Sequence, residues 1–113
     1  MPEYAFIIYN DESQLQDPDA WRVMEEAHQA FHKAVAESGA RITSMAALAP
    51  SFSATTVASD GVVSDGPFIE SKESVGGFSI LELPDKAAAV ALAKTWPGYG
   101  IEIRPIVEQQ EGR

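Results

Sequence analysis

The chain has 113 residues, of which 45% are hydrophobic and 22% are charged, a balance typical of one globular domain. Seventeen acidic against eight basic side chains leave a net charge of −9. That charge argues against nucleic acid and anionic membrane surfaces as partners, because both are bound through clustered Lys and Arg. The absence of cysteine excludes disulfides, thiolate catalysis and zinc sites built on sulfur.

The first half of the chain predicts a strand, a helix and a second strand. Residues 4–9 are apolar on both faces, as in a central strand. From 19 to 38 apolar residues recur at helical spacing, and either Asp17 or Asp19 is suited to cap that helix. Residues 41–48 then predict the second strand.

A β-hairpin and a second strand–helix–strand unit are predicted in the remainder. Residues 53–58 are rich in β-branched side chains, the Asp60-Gly61 pair is a strong turn signal, and 62–65 form a short return strand. The later elements are a strand at 77–83, an Ala-rich helix from 85 to about 96 and a strand at 101–104.

This order of elements predicts an α+β fold. A helix between the first two strands and another between the last two is the split βαβ, ferredoxin-like arrangement, here with an inserted hairpin. Both helices should cover one face of an antiparallel sheet. The prediction is one domain over residues 1–107, followed by a polar tail at 108–113.

The predicted sheet carries more apolar side chains than two helices can bury. Those residues, which belong to both faces, are Ile7, Tyr9, Phe78, Ile80, Ile101 and Ile103. A second copy stacked sheet to sheet would cover the remaining face, so we expect a homodimer. The alternative is that the hairpin at 52–65 folds over that face.

The amino terminus predicts a soluble, cytoplasmic protein. It lacks the basic region and long apolar run of a signal peptide. Its longest apolar run, 4–9, has the length of a strand and falls far short of the ~20 residues that span a bilayer.

One segment carries a family resemblance. Asp65-Gly66-Pro67-Phe68, with the residues that follow it, resembles the signature of the DGPF branch of the YCII-related superfamily. The following residues of that signature are Glu70, Lys72, Glu73, Gly76, Gly77 and Phe78. Further support comes from Tyr4-x-x-Ile-Ile-Tyr9, Ala54-Thr55-Thr56-Val57 and Glu102-Ile103-Arg104-Pro105, so the resemblance covers nearly the whole chain in order.

The resemblance implies a dimeric α+β fold of the ferredoxin-like, α/β-barrel type, and most DGPF proteins have no assigned activity. Other YCII-related proteins are suspected enzymes that use a His with a carboxylate partner, and some act on small aromatic compounds. Their His lies eleven residues before the Gly that ends the first helix, as His28 lies before Gly39, whereas Glu25 stands where they carry Arg. Genes of the branch often neighbour those of alternative sigma factors, which implies a regulatory context.

His28 and Asp65 are the candidate catalytic residues. His28 lies at the edge of the apolar stripe of the first helix, where an imidazole can act near neutral pH. The plainer interpretation is a histidine at the edge of the core. Asp65 could raise the basicity of His28, or it could only cap the turn at Gly66-Pro67, with Phe68 plugging the core.

A ligand site is a further hypothesis. In a chain with few cations, Lys72 and Arg104 could bind an anionic ligand, with Glu70 on the same loop as Lys72, unless that loop is merely solvated. The aromatic residues that could line a pocket, although most are more simply core, are Tyr4, Tyr9, Trp21, Phe78, Trp96 and Tyr99.

No cofactor or metal is predicted. His28 and His32 have spacing that suits a divalent metal, but the pattern lacks further ligands. A phosphate-binding Gly-rich loop, a serine nucleophile elbow and a dinucleotide fingerprint are all missing from the sequence. Two hypotheses remain open, a cofactor-free acid/base enzyme on a small organic molecule and a non-catalytic dimeric module that binds a small molecule or a protein.

Overall fold

The computed structural model describes residues 1–15 and 17–108. Its strands and helices, in chain order, are β1 (Glu3–Asp11), α1 (Ala20–Ser38), β2 (Arg41–Ala47), β3 (Thr55–Val57), β4 (Val63–Asp65), β5 (Glu73–Glu82), α2 (Lys86–Ala93) and β6 (Gly100–Pro105). Every predicted helix and strand is therefore confirmed, with shifts at some ends. The predicted polar tail lies outside the described residues except for Glu108.

Four strands form one antiparallel sheet in the order β2-β5-β1-β6. Each helix connects two strands that are not neighbours, because β5 lies between β2 and β1 and β1 lies between β5 and β6. This is the split βαβ connection, and the predicted α+β class with a ferredoxin-like arrangement agrees with it.

The hydrophobic core lies between the sheet and the two helices. Alternate residues of β1 point toward the helices, and Phe6 is completely buried among them. Phe31 of α1, 1% exposed, meets Phe6 with ring centroids 6.1 Å apart. Burial of each such side chain contributes about 1.5–3 kcal/mol, so this layer holds α1 in place on the sheet.

The ends of the helices follow local signals. Gly39 ends α1 with φ 78°, a left-handed conformation that favours glycine. The Asp85 carboxylate accepts a hydrogen bond from the backbone N–H of Ala88 and caps α2, whereas Asp19 precedes α1 without such a bond. The α2 helix ends at Ala93, earlier than predicted, because the next residues form tighter turn bonds before Pro97.

Strand β5 begins at Glu73, earlier than predicted, and contains Gly76 and Gly77. A Cβ on Gly77 would lie 2.8 Å from the backbone oxygen of Ala46 on β2. A Cβ on Gly76 would lie 1.9 Å from the side-chain nitrogen of Asn10, next to an irregularity in the β1–β5 pairing. Both glycines therefore permit close approach inside the strand, a role that sequence periodicity does not reveal.

The predicted hairpin is confirmed as a separate two-stranded sheet of β3 and β4. We call residues 51–69, which contain it, the arm. At its base, Ser51 donates hydrogen bonds from its backbone N–H and its hydroxyl to the Glu12 carboxylate. Phe68 is 79% exposed, so the prediction that it plugs the core is wrong.

The sheet face opposite the helices, which we call the open face, carries apolar side chains. Ile7, Phe78 and Ile80 lie on it at paired positions of β1 and β5 and are partly exposed. The molecule is only 18 Å thick, the depth of one helix layer on one sheet. Arm residues such as Val57 and Val63 are 65% and 63% exposed, so the alternative that the hairpin folds over this face is wrong.

Among the described residues, none of the helices is both long enough and apolar enough to cross a membrane.

Candidate functional site

His28 lies on the side of α1 that faces α2 and is half-buried against Trp96. Their ring centroids are 5.0 Å apart, and the ring planes are inclined at 60°. Desolvation by these neighbours, followed by the nearby charge of His32, lowers the pKa of His28 below its ordinary 6.5. The imidazole is therefore neutral at pH 7 and has one ring nitrogen free to accept a proton.

The structure does not bring His28 and Asp65 together within one chain. Asp65 ends β4 and is exposed on the arm, where it borders a shallow concavity with Glu70. Among the described residues, His28 makes no hydrogen bond or ion pair with a carboxylate, and the Asp65 side chain makes no hydrogen bond. The pairing of His28 with Asp65 therefore stays a prediction that no contact in the structure supports.

Tyr9 and Arg104 meet on the open face of the sheet. The Glu102 carboxylate forms an ion pair with Arg104 and accepts a hydrogen bond from the Tyr9 hydroxyl at 3.2 Å. The Arg104 guanidinium lowers the pKa of Glu102, and desolvation, together with the hydrogen bond to Glu102, raises the pKa of Tyr9. Arg104 and His28 therefore lie on opposite sides of the sheet.

Lys72 lies just before β5, at the base of the arm. Its backbone oxygen accepts a hydrogen bond from Glu12, and it borders a surface cavity of about 530 Å³ together with Trp21 and Phe52. Of the six candidate residues, Tyr9 and Arg104 are joined through Glu102, and Asp65 and Glu70 border the same cavity.

Another cavity lies between the end of β1 and the start of α1. We call it the β1–α1 cavity, and its volume is about 490 Å³. Its apolar wall consists of Leu15, Ala20, Val23, Met24, Ala27, Trp96 and Pro97. Its polar rim consists of Asn10, Asp11, Ser13, Gln14, Asp17 and Asp19, with Gly98 and Tyr99 beside it. A concave apolar wall with polar groups at the mouth is the usual form of a small-molecule site.

The rim of this cavity is acidic. It contains three carboxylates, and none of the described residues that line it is Lys, Arg or His. Hydrogen bonds from the Ser13 hydroxyl and backbone N–H outweigh desolvation and lower the pKa of Asp11, so this carboxylate is charged at neutral pH. Asp19 is ion-paired with the exposed Arg22 at 3.8 Å, whereas Asp11 and Asp17 form no ion pair within the described residues. These two carboxylates make the rim favour cations over anions.

Two aromatic residues close one side of the cavity. Gly98 lies so near the Trp96 indole that a Cβ would be 2.5 Å from it, and within the described chain the buried indole N–H has no hydrogen-bond partner. Tyr99 is 52% exposed and donates a hydrogen bond from its hydroxyl to Glu73, which raises the Tyr99 pKa. Both rings offer aromatic surface to a ligand.

Sequence reasoning considered Trp96 and Tyr99 as pocket residues but missed the acidic rim. The rim follows β1, and Tyr99 precedes β6, so the two segments meet only because Tyr9 pairs with Gly100. Two signals could have located it: the polar run 10–19 directly after an apolar strand, and a Pro-Gly-aromatic segment directly before another strand.

The fold and cavity define a small α+β protein with one helix-covered sheet and a candidate small-molecule site. The sequence profile of the YCII-related domain matches residues 2–110, and the chain belongs to this family. It is also 32% identical to a protein of Rhizobium meliloti strain 1021 that is described as uncharacterized, in an alignment that covers 96% of this chain and 95% of that protein.

Proposed function

We propose that this protein binds a small, largely apolar molecule in the β1–α1 cavity, and that the molecule is uncharged or cationic. The observation that carries the proposal is a cavity of about 490 Å³ with an apolar wall and three carboxylates at its mouth. The volume suits a single-ring or two-ring compound. The apolar wall favours the apolar part of the ligand, and the carboxylates of the rim favour a ligand that is uncharged or positively charged.

Charge separates this proposal from the expectation of an anionic ligand. Two unit charges 4 Å apart interact by about 4 kcal/mol near a protein surface, so an anion at this rim would be disfavoured. Arg104 is already paired with Glu102 on the other side of the sheet. An anionic ligand at Lys72 or Arg104 stays a prediction for those residues and is separate from this cavity.

Three probes with one ring and different charges test the proposal: benzylamine, benzyl alcohol and benzoate. We expect the first two, and not benzoate, to raise the melting temperature and to shift the NMR methyl signals of Val23 and Met24. Val23→Trp, at an exposed position of the cavity wall, should abolish the rise in melting temperature and the shift of the Met24 signal, whereas Val107→Trp, at an exposed position outside the cavity, should not. Preference for benzoate, or binding unaffected by Val23→Trp, would refute the assignment.

An acid/base enzyme is the second candidate, and the state of His28 favours it. Its imidazole is half-buried and its pKa is lowered, so it is a neutral base at pH 7. It packs on Trp96, which lines the β1–α1 cavity, whereas His28 itself is not among the lining residues. For catalysis the Trp96 ring would have to move aside, so that a bound molecule comes within hydrogen-bond reach of the base. Asp65 would have to come from a rearranged arm or a second copy.

Proton exchange tests this candidate directly. An enzyme with a base at His28 should catalyse solvent-deuterium incorporation next to the carbonyl group of a bound aryl ketone, measured by NMR. His28→Gln should abolish the exchange while probe binding persists. Absence of exchange across a panel of aryl ketones that bind would leave the non-catalytic binding protein as the function.

We also propose that the functional unit is a homodimer formed through the open face. Ile7, Phe78 and Ile80 would be covered there by the same residues of a second copy, as in an isologous interface. Sedimentation equilibrium should give twice the 12.2 kDa of one chain at micromolar concentration. A mass of one chain under these conditions would contradict the proposal.

A further inference from the structure

We propose that the tip of the arm, Pro67-Phe68-Ile69, docks on a second copy of this chain, so that each subunit grips its partner through the DGPF loop. This inference rests on the homodimer proposed above. It goes beyond that proposal because it assigns a contact with the partner subunit to the loop that carries the family resemblance. The residues that would make this contact, Phe68 and Ile69, lie outside the sheet.

The arm holds these side chains in solvent by its own backbone structure. Gly66, at φ 105°, donates its N–H to the Ala54 oxygen at 2.7 Å, and its own oxygen accepts a hydrogen bond from the Thr56 hydroxyl at 2.8 Å. Both bonds tie the loop to the β3 side of the hairpin. Phe68 and Ile69 follow directly and are 79% and 75% exposed. Adjacent large apolar side chains on an ordered loop are the usual sign of an unoccupied interface.

The surface area of the chain also supports an interface with a second copy. A compact protein of this mass exposes about 6,100 Å², whereas this chain exposes 7831 Å². Its radius of gyration is 15.9 Å, against about 13 Å for a compact chain of this length. The excess of roughly 1,700 Å² exceeds the ~800 Å² that each partner buries in a standard stable interface. The chain as a whole therefore exposes enough surface, beyond that of a compact monomer, to form a stable dimer interface.

Symmetry favours a second copy as the occupant. The net charge of −9 opposes association in general, but Pro67, Phe68 and Ile69 carry no charge, and on the open face Glu102 forms an ion pair with Arg104. Asp65 and Glu70 lie on either side of the tip. In a two-fold dimer each subunit both gives an arm and receives one, so a single association buries the apolar tip twice.

Sedimentation equilibrium on a matched set of variants tests the contact. The double variant Phe68→Ala/Ile69→Ala should raise the dimer dissociation constant at least tenfold. Val107→Ala, which removes an exposed apolar side chain after β6, should change it less than twofold. If the wild type is a monomer, both this inference and the homodimer are wrong. If the wild type is a dimer and the double variant dissociates like it, only the arm contact is overturned.

Cross-linking supplies a readout that does not depend on the stability of the variant. A photo-reactive benzoyl-phenylalanine at position 68 should yield a covalent dimer on irradiation. Mass spectrometry of that dimer, formed from equal amounts of ¹⁴N-labelled and ¹⁵N-labelled chains, should find the cross-link between chains of different label. Cross-links confined to one chain, or none in a sample that sediments as a dimer, would overturn the proposal.

Discussion

His28 and Trp96 form a tilted aromatic pair with ring centroids 5.0 Å apart. Phe31 meets the same indole edge to face at 5.6 Å, so Trp96 links the histidine to the core. The indole also lines the β1–α1 cavity. Because Trp96 contacts all three, we expect a change in the charge of His28 to affect the packing around Phe31 and the wall of the cavity.

The first prediction concerns the titration of His28. Because burial lowers its pKa below 6.5, the unfolded chain binds its proton more readily than the folded chain does. The free energy of unfolding should therefore fall as the pH drops through about 6.5, and the decline should stop below the folded pKa. NMR of the imidazole signals and urea unfolding at several pH values measure both effects.

His28→Phe should remove this part of the pH dependence, since a phenyl ring carries no proton. His32→Gln is the control, because it removes only the smaller cause of the shift and should leave the pKa of His28 below 6.5. A His28 pKa at or above 6.5 in the folded wild type would contradict the packing described here.

A second prediction compares two phenylalanines of opposite exposure. Phe31→Ala should lower the free energy of unfolding by about 3–5 kcal/mol, because the side chain is 1% exposed and contacts both Phe6 and Trp96. Phe52→Ala removes a side chain that is 80% exposed and should cost less than about 0.5 kcal/mol. Urea unfolding measures both, and equal losses would argue against this core.

The helix caps form the third test. Asp85→Ala should destabilise the protein by about 1 kcal/mol, because the Asp85 carboxylate accepts a hydrogen bond from the Ala88 N–H at 2.8 Å. Asp19→Ala is the matched substitution, since Asp19 precedes α1 without a capping bond. Its cost in thermal or urea unfolding should be smaller. A larger loss for Asp19→Ala would reverse the assignment of the caps.

A fourth prediction concerns the base of the arm. Ser51→Ala removes the hydroxyl bond to Glu12, which is the largest cause of the lowered pKa of that carboxyl. The pKa of Glu12 should rise toward 4.5, and amide hydrogen exchange in the arm should become faster. Carbon-detected NMR of the Glu12 carboxyl follows the titration.

The sign of the effect on stability follows from the direction of that shift. A lowered carboxyl pKa stabilises the folded chain above about 4.5, and this stability is lost as the pH falls through the folded value. Ser51→Ala should reduce that loss. Ser53→Ala is the control, because its hydroxyl bonds only the neighbouring Pro50 oxygen. An unchanged Glu12 titration in Ser51→Ala would refute the role of the Ser51 hydroxyl in lowering the pKa of Glu12.

The elements were predictable because their signals are local. Helical periodicity, Gly39 and Asp85 located both helices, and Asp60-Gly61 located the hairpin turn, which closes with Gly61 at φ 87°. Errors arose where long-range contacts override local preference. Gly77 is a weak strand former, yet it lies inside β5 because β2 approaches closely at Ala46.

The candidate site was less accessible from the sequence. Tyr9 and Arg104 are brought together by the β1–β6 pairing, but their partner, Glu102, was not singled out. Phe68 was expected in the core, because an aromatic residue after a tight turn commonly packs inward, and the arm turns it to solvent instead. Side-chain exposure depends on where a whole segment lies, which no local pattern records.

The sequence by itself determined the composition class, the order of the elements, the split βαβ connection and the family. These features depend on charge totals, on spacing along the chain and on motifs, all of which are properties of neighbouring residues. Only the tertiary structure decided that three carboxylates meet Trp96 and Tyr99 around one cavity, that His28 forms no hydrogen bond or ion pair with a carboxylate of the described residues, and that the arm turns Phe68 to solvent. The reason is that these relations join segments far apart in sequence, and their distances are set by strand pairing and packing of the whole domain.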